Sequence, residues 1–205
     1  DSAAVPNNHL VANWVGLFVV SVLFPGLPGS SRRIANGATA LRAQMDAQVH
    51  ANGLTFEGPV PYHRLSVELF TLAYVASIQQ GVELSSGFEE RLLAMYEAAL
   101  QYCSQQGLAP QIGDNDSGRV FPYRDRPSLA HGYLASLGAA LFCDANLKLE
   151  GATLPDEAIW LLAERSVNRF GRLPSRAQPR STSFEDAGLH LLRGGEALLA
   201  ISAGK

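Results

Sequence analysis

Apolar residues in the first half of this chain recur at three- and four-residue intervals and stop at glycines and prolines, the pattern of helices joined by short turns. From Asn7 to Phe24 polar interruptions are few, so the first predicted helix is buried nearly all round, and Pro25-Gly26-Leu27-Pro28-Gly29 ends it. A second helix runs through Arg33, Ala40, Leu41, Met45 and Val49, with Ser30 or Ser31 as its cap and Asn52-Gly53 as its stop. After the loop Leu54 to Pro61, the stripe Leu65, Leu69, Leu72 and Ala76 marks a third helix from about Tyr62 to Gln80. A fourth, about Ser86 to Gln106, opens on a capping box of Ser86 and Glu89 and carries Leu92, Met95, Tyr96 and Leu100 on its apolar side.

A long polar loop, Gly107 to Arg126, precedes two more predicted helices, near Ser128 to Ala145 and Pro155 to Phe170. The period then changes. Ser181 to Phe184, Gly188 to Arg193 and Ala197 to Ala203 read as short strands, the last two joined by a glycine turn. A strand pair is marginal alone, so these strands are expected to open a β domain that continues beyond Lys205. Successive helical hairpins build a toroid or solenoid, and the lack of a tight repeat period disfavours the repeat families with fixed units.

Composition narrows the classes of function. With 205 residues, 47% hydrophobic and 17% charged, the chain suits one large domain or one and a half small ones. A net charge of −3 and the lack of any run of five like charges exclude the basic field that gathers nucleic acid. The uncharged stretch Leu10 to Ser31 is broken by Pro25, Gly26, Pro28 and Gly29, which leaves about 15 apolar-rich residues against the ~20 of a membrane span. Cys103 and Cys143 lack zinc-ligand spacing and read as two buried thiols. Asp1 opens the chain without the basic segment of a signal peptide.

Candidate chemistry gathers at helix starts. Asn7-Asn8-His9 combines strong capping residues with an imidazole, and serves equally as a plain N-cap. In Glu57-Gly58-Pro59-Val60-Pro61-Tyr62-His63-Arg64, two prolines stiffen the backbone, so Tyr62 and His63 project from a helix N-terminus whose free N–H groups favour an anion such as a sugar carboxylate. Gln111 to Arg119 contains Asp114-Asn115-Asp116, the opening of a calcium loop without its closing Glu, so no metal is expected there. Arg64, Arg119, Arg124 and Arg126 are suited to bidentate recognition of carboxylate or sulfate.

Taken in order, Asn-Asn-His at 7–9, Phe-Glu-Gly-Pro-Val-Pro-Tyr-His-Arg-Leu-Ser-Val-Glu-Leu at 56–69, Ile-Gly-Asp-Asn-Asp-Ser-Gly-Arg at 112–119 and Ser-Phe-Glu-Asp-Ala-Gly-Leu-His-Leu-Leu-Arg at 183–193 resemble the heparinase II/III-like polysaccharide lyases. The resemblance implies a mainly α protein: an incomplete (α/α) toroid over residues 1–178, then the first strands of an antiparallel β-sandwich over 179–205. It also implies β-elimination on a uronate-containing acidic polysaccharide, alginate-, heparinoid- or capsule-like, in a periplasmic or secreted setting. Asn8 matches the group that neutralises the C5 carboxylate, with His9 beside it, and Tyr62 matches the catalytic tyrosine, with His63 as a further candidate. Arg64, Glu57, Arg119 and Asp116 are the expected substrate contacts. No cofactor is expected in this chain, and a divalent metal together with a further catalytic histidine belongs to the rest of the sandwich.

The chemistry suits these residue types. Removing a carbon-bound proton requires the adjacent carboxylate to be quenched first, a task for an amide or imidazole, and a phenol then needs neighbours that lower its pKa from about 10. Two other readings use the same residues: an (α/α) glycoside hydrolase with Asp114, Asp116 or Glu57 as acid and base, or a non-catalytic glycan-binding module of a polysaccharide biosynthesis or export system.

Overall fold

The structure is a computed structural model that describes residues 7–115 and 117–203. Among these residues seven α-helices precede a three-stranded sheet: α1 (Asn8–Leu23), α2 (Ser30–Gln48), α3 (Val60–Gln79), α4 (Ser86–Tyr102), α5 (Tyr133–Phe142), α6 (Asp156–Leu161) and α7 (Glu164–Arg172), then β1 (Thr182–Phe184), β2 (Leu189–Gly194) and β3 (Ala197–Ser202). The helices form hairpins around one apolar core. α1 packs on α2 and α3, α3 on α4, and α4 on α5. Val11, Val15, Phe18 and Val22 of α1 meet Leu41 and Met45 of α2 there, while Val67, Phe70 and Ala73 of α3 meet Leu92, Met95 and Tyr96 of α4. Among the described residues no helix is long and apolar enough to cross a membrane.

The helix caps differ from expectation at two places. Ser30 is the first residue of α2, whose N-cap is Gly29, and its hydroxyl donates to the Phe24 carbonyl across the turn. At α4 the cap is Ser85, whose Oγ accepts from the Phe88 N–H at 3.2 Å. The turn after α2 lies hard against α4. A Cβ at Gly53 would come within 2.1 Å of the Ala94 carbonyl oxygen, and the backbone there has φ of +88°, so only glycine fits.

The second half departs more from the sequence pattern. α5 begins at Tyr133 because residues 127–132 wrap into turns, with the N–H groups of His131 and Gly132 both donating to the Gly107 carbonyl. The single helix predicted over Pro155 to Phe170 is two, divided by extended backbone at Leu162 and Ala163. No glycine or proline marks that break. Cys103 is buried as expected and its thiol is pushed up to about 12 by burial, whereas Cys143 is exposed in a left-handed position closing α5.

The sheet is antiparallel in the order β1-β2-β3, with Phe184 opposite Leu189 and Gly194 opposite Ala197. Phe184, Leu189 and Leu191 turn inward into the helical core, and alternation places Arg193 on that same side. Its guanidinium donates to the carbonyls of Gln101 and Cys103, each at 2.6 Å, a cation on the unpaired carbonyls at a helix C-terminus. Helices and strands therefore share one core.

Candidate functional site

At the start of α1, the Asn7 side chain accepts from the Leu10 N–H at 3.0 Å and caps the helix. Asn8, buried beside it, takes a different partner. Its backbone N–H and its Nδ2 donate to the two oxygens of Glu57, at 2.9 and 3.1 Å. Glu57 thus fixes the Asn8 amide and joins the first motif to the second, forty-nine residues later. One of the two Nδ2 hydrogens is used in this way. His9 is exposed to solvent one position further on.

The second motif begins α3. Pro61 sits in its first turn after Pro59 at the cap, so the backbone leading to Tyr62 is rigid. The Tyr62 hydroxyl donates to Asp114 Oδ2 at 3.2 Å. This contact brings in the third motif, whose loop is pressed against the same segment: the Val60 N–H donates to the Ile112 carbonyl, and a Cβ at Gly113 would lie 2.8 Å from Pro59. Asn115 continues the network through Nδ2 to Gln111 and to Ser128 Oγ. Asp116 lies outside the described residues.

His63 and Arg64 are placed otherwise than expected. Successive helical residues are about 100° apart, so with Tyr62 directed at the loop the next two side chains turn inward. His63 is 1% exposed; its Nε2 bonds to the Met95 carbonyl at 3.0 Å and its ring meets Tyr102 edge-on. Burial lowers its pKa to about 4, against the smaller upward pull of that carbonyl. It is neutral at physiological pH, with Nε2 as the donor, and it borders a cleft of about 490 Å³ that also touches Asp186 and Ser202 of the strand region.

Arg64, also 1% exposed, donates to the carbonyls of Ser128 at 2.5 Å and Gly118 at 3.0 Å. It therefore anchors the loop from within the protein and contacts no open cleft. Around it lies a buried polar cluster that the pattern along the chain did not single out. Glu68, one turn further along α3, accepts from the N–H groups of Val120 and Phe121 and from the Tyr133 hydroxyl. Its pKa is raised, chiefly by desolvation, against those hydrogen bonds and the charge of Arg64. Tyr102 bonds to Nδ1 of His131, whose pKa falls to about 3 through burial and then through the charge of Arg64. The spacing of Arg64 and Glu68 at i and i+4 on a buried stripe was the available signal.

Arg119 is likewise turned to structure. It donates to the carbonyls of Phe121 and Arg124 and lies 3.8 Å from Glu157. Glu157, fully buried, also holds Arg126 at 2.9 Å, and Arg126 in turn covers the ring of Tyr133 at 4.7 Å. Asn8 is thus paired with Glu57 just before α3 and Tyr62 with Asp114 on its first turn, while Arg64, Arg119 and His63 lie inside the protein. Among the described residues no group of three or more His, Cys, Asp or Glu side chains is placed to hold a metal ion.

Residues 4–123 match the sequence profile of the heparinase II/III N-terminus, and the chain belongs to that family. Among solved structures, it superposes on heparinase III with a TM-score of 0.70 at 19% identity, over 97% of this chain and 29% of that one. On the heparan sulfate lyase HepC of Pedobacter heparinus the TM-score is 0.60 at 18% identity, over 98% of this chain and 29% of that one. The chain therefore spans less than a third of each enzyme. A search of curated proteins found no match. These likenesses establish the fold, a mainly helical domain like part of those lyases with a small antiparallel sheet.

Proposed function

We propose that the protein is a polysaccharide lyase that cleaves a uronate-containing acidic polysaccharide by β-elimination. The observation that carries this reading is the Glu57 carboxylate, which accepts from both the N–H and the side-chain amide of Asn8 five residues before Tyr62. A positioned amide and a positioned phenol are what the elimination needs.

In this reading the second Nδ2 hydrogen of Asn8, with His9 nearby, neutralises the C5 carboxylate of the sugar, which acidifies the C5 proton by stabilising the enolate-like charge that forms. Tyr62 removes that proton as the phenolate, its own proton having passed to Asp114, which its hydroxyl meets. The electron pair then forms the C4–C5 double bond, the C4–O bond breaks, and the phenol returns its proton to the leaving oxygen. Asp114 orients the Tyr62 hydroxyl, and Arg64 and Arg119 act by holding the loop that carries Asp114. Both Glu57 oxygens are engaged by Asn8, an arrangement that suits an orienting carboxylate better than a glycosidase acid or base. A polymer substrate places the enzyme outside the cytoplasm, in the periplasm or secreted. The likeness to a heparan sulfate lyase favours heparinoid chains, with alginate and capsule as the other uronate polymers.

The test is direct. Full-length protein incubated with heparan sulfate, alginate or acidic capsule should produce the ultraviolet absorbance of an unsaturated uronate, and Tyr62→Phe should lower the rate at least about 10³-fold. Reducing ends formed without that absorbance would make the protein a hydrolase. Binding without cleavage of any uronate polymer would make it a glycan-binding module.

A further inference from the structure

The loop that carries Asp114 continues into an aromatic surface that the elimination chemistry does not use. Trp160 on α6 is 72% exposed and Tyr123 is 47% exposed. Their rings are stacked, with centroids 5.9 Å apart and planes at 28°. Tyr123 is stacked in turn on Phe121, at 6.2 Å and 6°, and Phe121 is buried in the core. The platform is thus held rigid from below while its outer face stays open.

A charged edge runs beside it. Arg124 Nε pairs with Asp156 Oδ2 at 3.1 Å, and the Arg124 side chain is 62% exposed. That ion pair lies on the Nε side of the guanidinium and leaves the terminal amino groups for a second carboxylate. Asp156 and Trp160 are four residues apart on α6 and so share a face. Arg124 and Asp156 also line a cavity of about 340 Å³. Gln178 lines it too, and its buried amide oxygen has no protein partner.

We propose that Trp160, Tyr123 and Arg124 form a carbohydrate subsite that stacks one pyranose of an acidic oligosaccharide and grips its uronate carboxylate. This rests on the reading of the protein as acting on uronate polymers. A pyranose has an apolar C–H face, which suits the electron-rich face of an indole, and an equatorial polar edge, which suits a guanidinium beside it. Tyr123 follows Asp114 by nine residues, so the two lie within about 30 Å even with the loop fully extended.

The experiment uses full-length protein carrying Tyr62→Phe, so that ligand is not consumed, titrated calorimetrically with hexasaccharides prepared from heparan sulfate and from alginate. Trp160→Ala should weaken binding about tenfold, Trp160→Phe should keep most of the affinity, and Arg124→Gln should reduce both affinity and its salt dependence. In the enzyme with Tyr62 intact, Trp160→Ala should raise KM with kcat unchanged. Affinity within twofold of the parent for Trp160→Ala overturns the subsite, as does a parent that binds neither hexasaccharide. So does a loss of several degrees in Tm for Trp160→Ala without sugar, since the ring would then be covered by protein. Elimination with unaltered binding in Trp160→Ala removes only the subsite, whereas weakened binding with no elimination removes only the lyase reading.

Discussion

Two groups of similar side chains sit on the first turns of α3, and they differ in the direction they face. Tyr62, with Glu57 just before the helix, meets polar partners at the edge of the domain, in Asp114 and Asn8. His63, Arg64 and Glu68 lie 0–1% exposed and meet backbone carbonyls, backbone N–H groups and Tyr133. The edge group joins segments at the domain's rim, while in the buried group Arg64 and Glu68 hold the 118–128 loop and His63 holds α4 through Met95. Chemical type does not separate the two. Helical phase does, and one residue of phase divides a candidate proton carrier from a structural histidine.

The largest expected difference is between Tyr62 and its neighbours. Tyr62→Phe should remove activity while lowering Tm by no more than about 6 °C, because the exposed bond of its hydroxyl to Asp114 is worth only about 0.5–1.5 kcal/mol. Arg64→Met should do the reverse in kind. It leaves the Ser128 and Gly118 carbonyls and the Glu68 carboxylate without their buried cation, and should cost about 3 kcal/mol in chemical denaturation. A variant that stayed stable but lost activity would move Arg64 to the edge group.

Acid should act through the buried histidines. The folded pKa of His63 is lowered from 6.5 to about 4, so the unfolded state binds more protons between those values. Stability is therefore full above about pH 6.5 and falls as pH drops toward 4, by about 3 kcal/mol for this group. His131, lowered to about 3, acts in the same direction. Glu68, whose pKa is raised, acts in the opposite one, losing its contribution as pH rises. Tm measured from pH 7 to 4 should fall, and His63→Gln should flatten that fall. An unchanged slope in the variant would mean that His63 is not the buried neutral group described.

A smaller effect sharpens the edge group itself. Glu57→Gln keeps one acceptor oxygen for Asn8 and loses the charge and the other acceptor, so it should cost about 1–2 kcal/mol in stability and lower kcat roughly tenfold. Equal loss of kcat and of kcat/KM would indicate an Asn8 contact made in the transition state. At the far end of the loop, Trp160→Ala should leave stability within about 0.5 kcal/mol, since its ring is mostly exposed.

The sequence by itself determined the helices that carry the motifs and the family they belong to. Capping Asn7, the paired prolines and the apolar stripes of α1 to α4 are local signals, each acting over a few residues. For the same reason Tyr62 and Asn8 were legible as helix-start residues. Three things depended on tertiary structure: that Glu57 binds Asn8, that Asp114 meets Tyr62, and that Arg64 and Arg119 point into the protein. These pairings join segments about fifty residues apart, and no local period encodes which loop covers which helix end. The break between α6 and α7, and with it the exposure of Trp160, is of the same kind: ordinary helix-forming residues take extended backbone at Leu162 and Ala163 because the surrounding packing outweighs local preference.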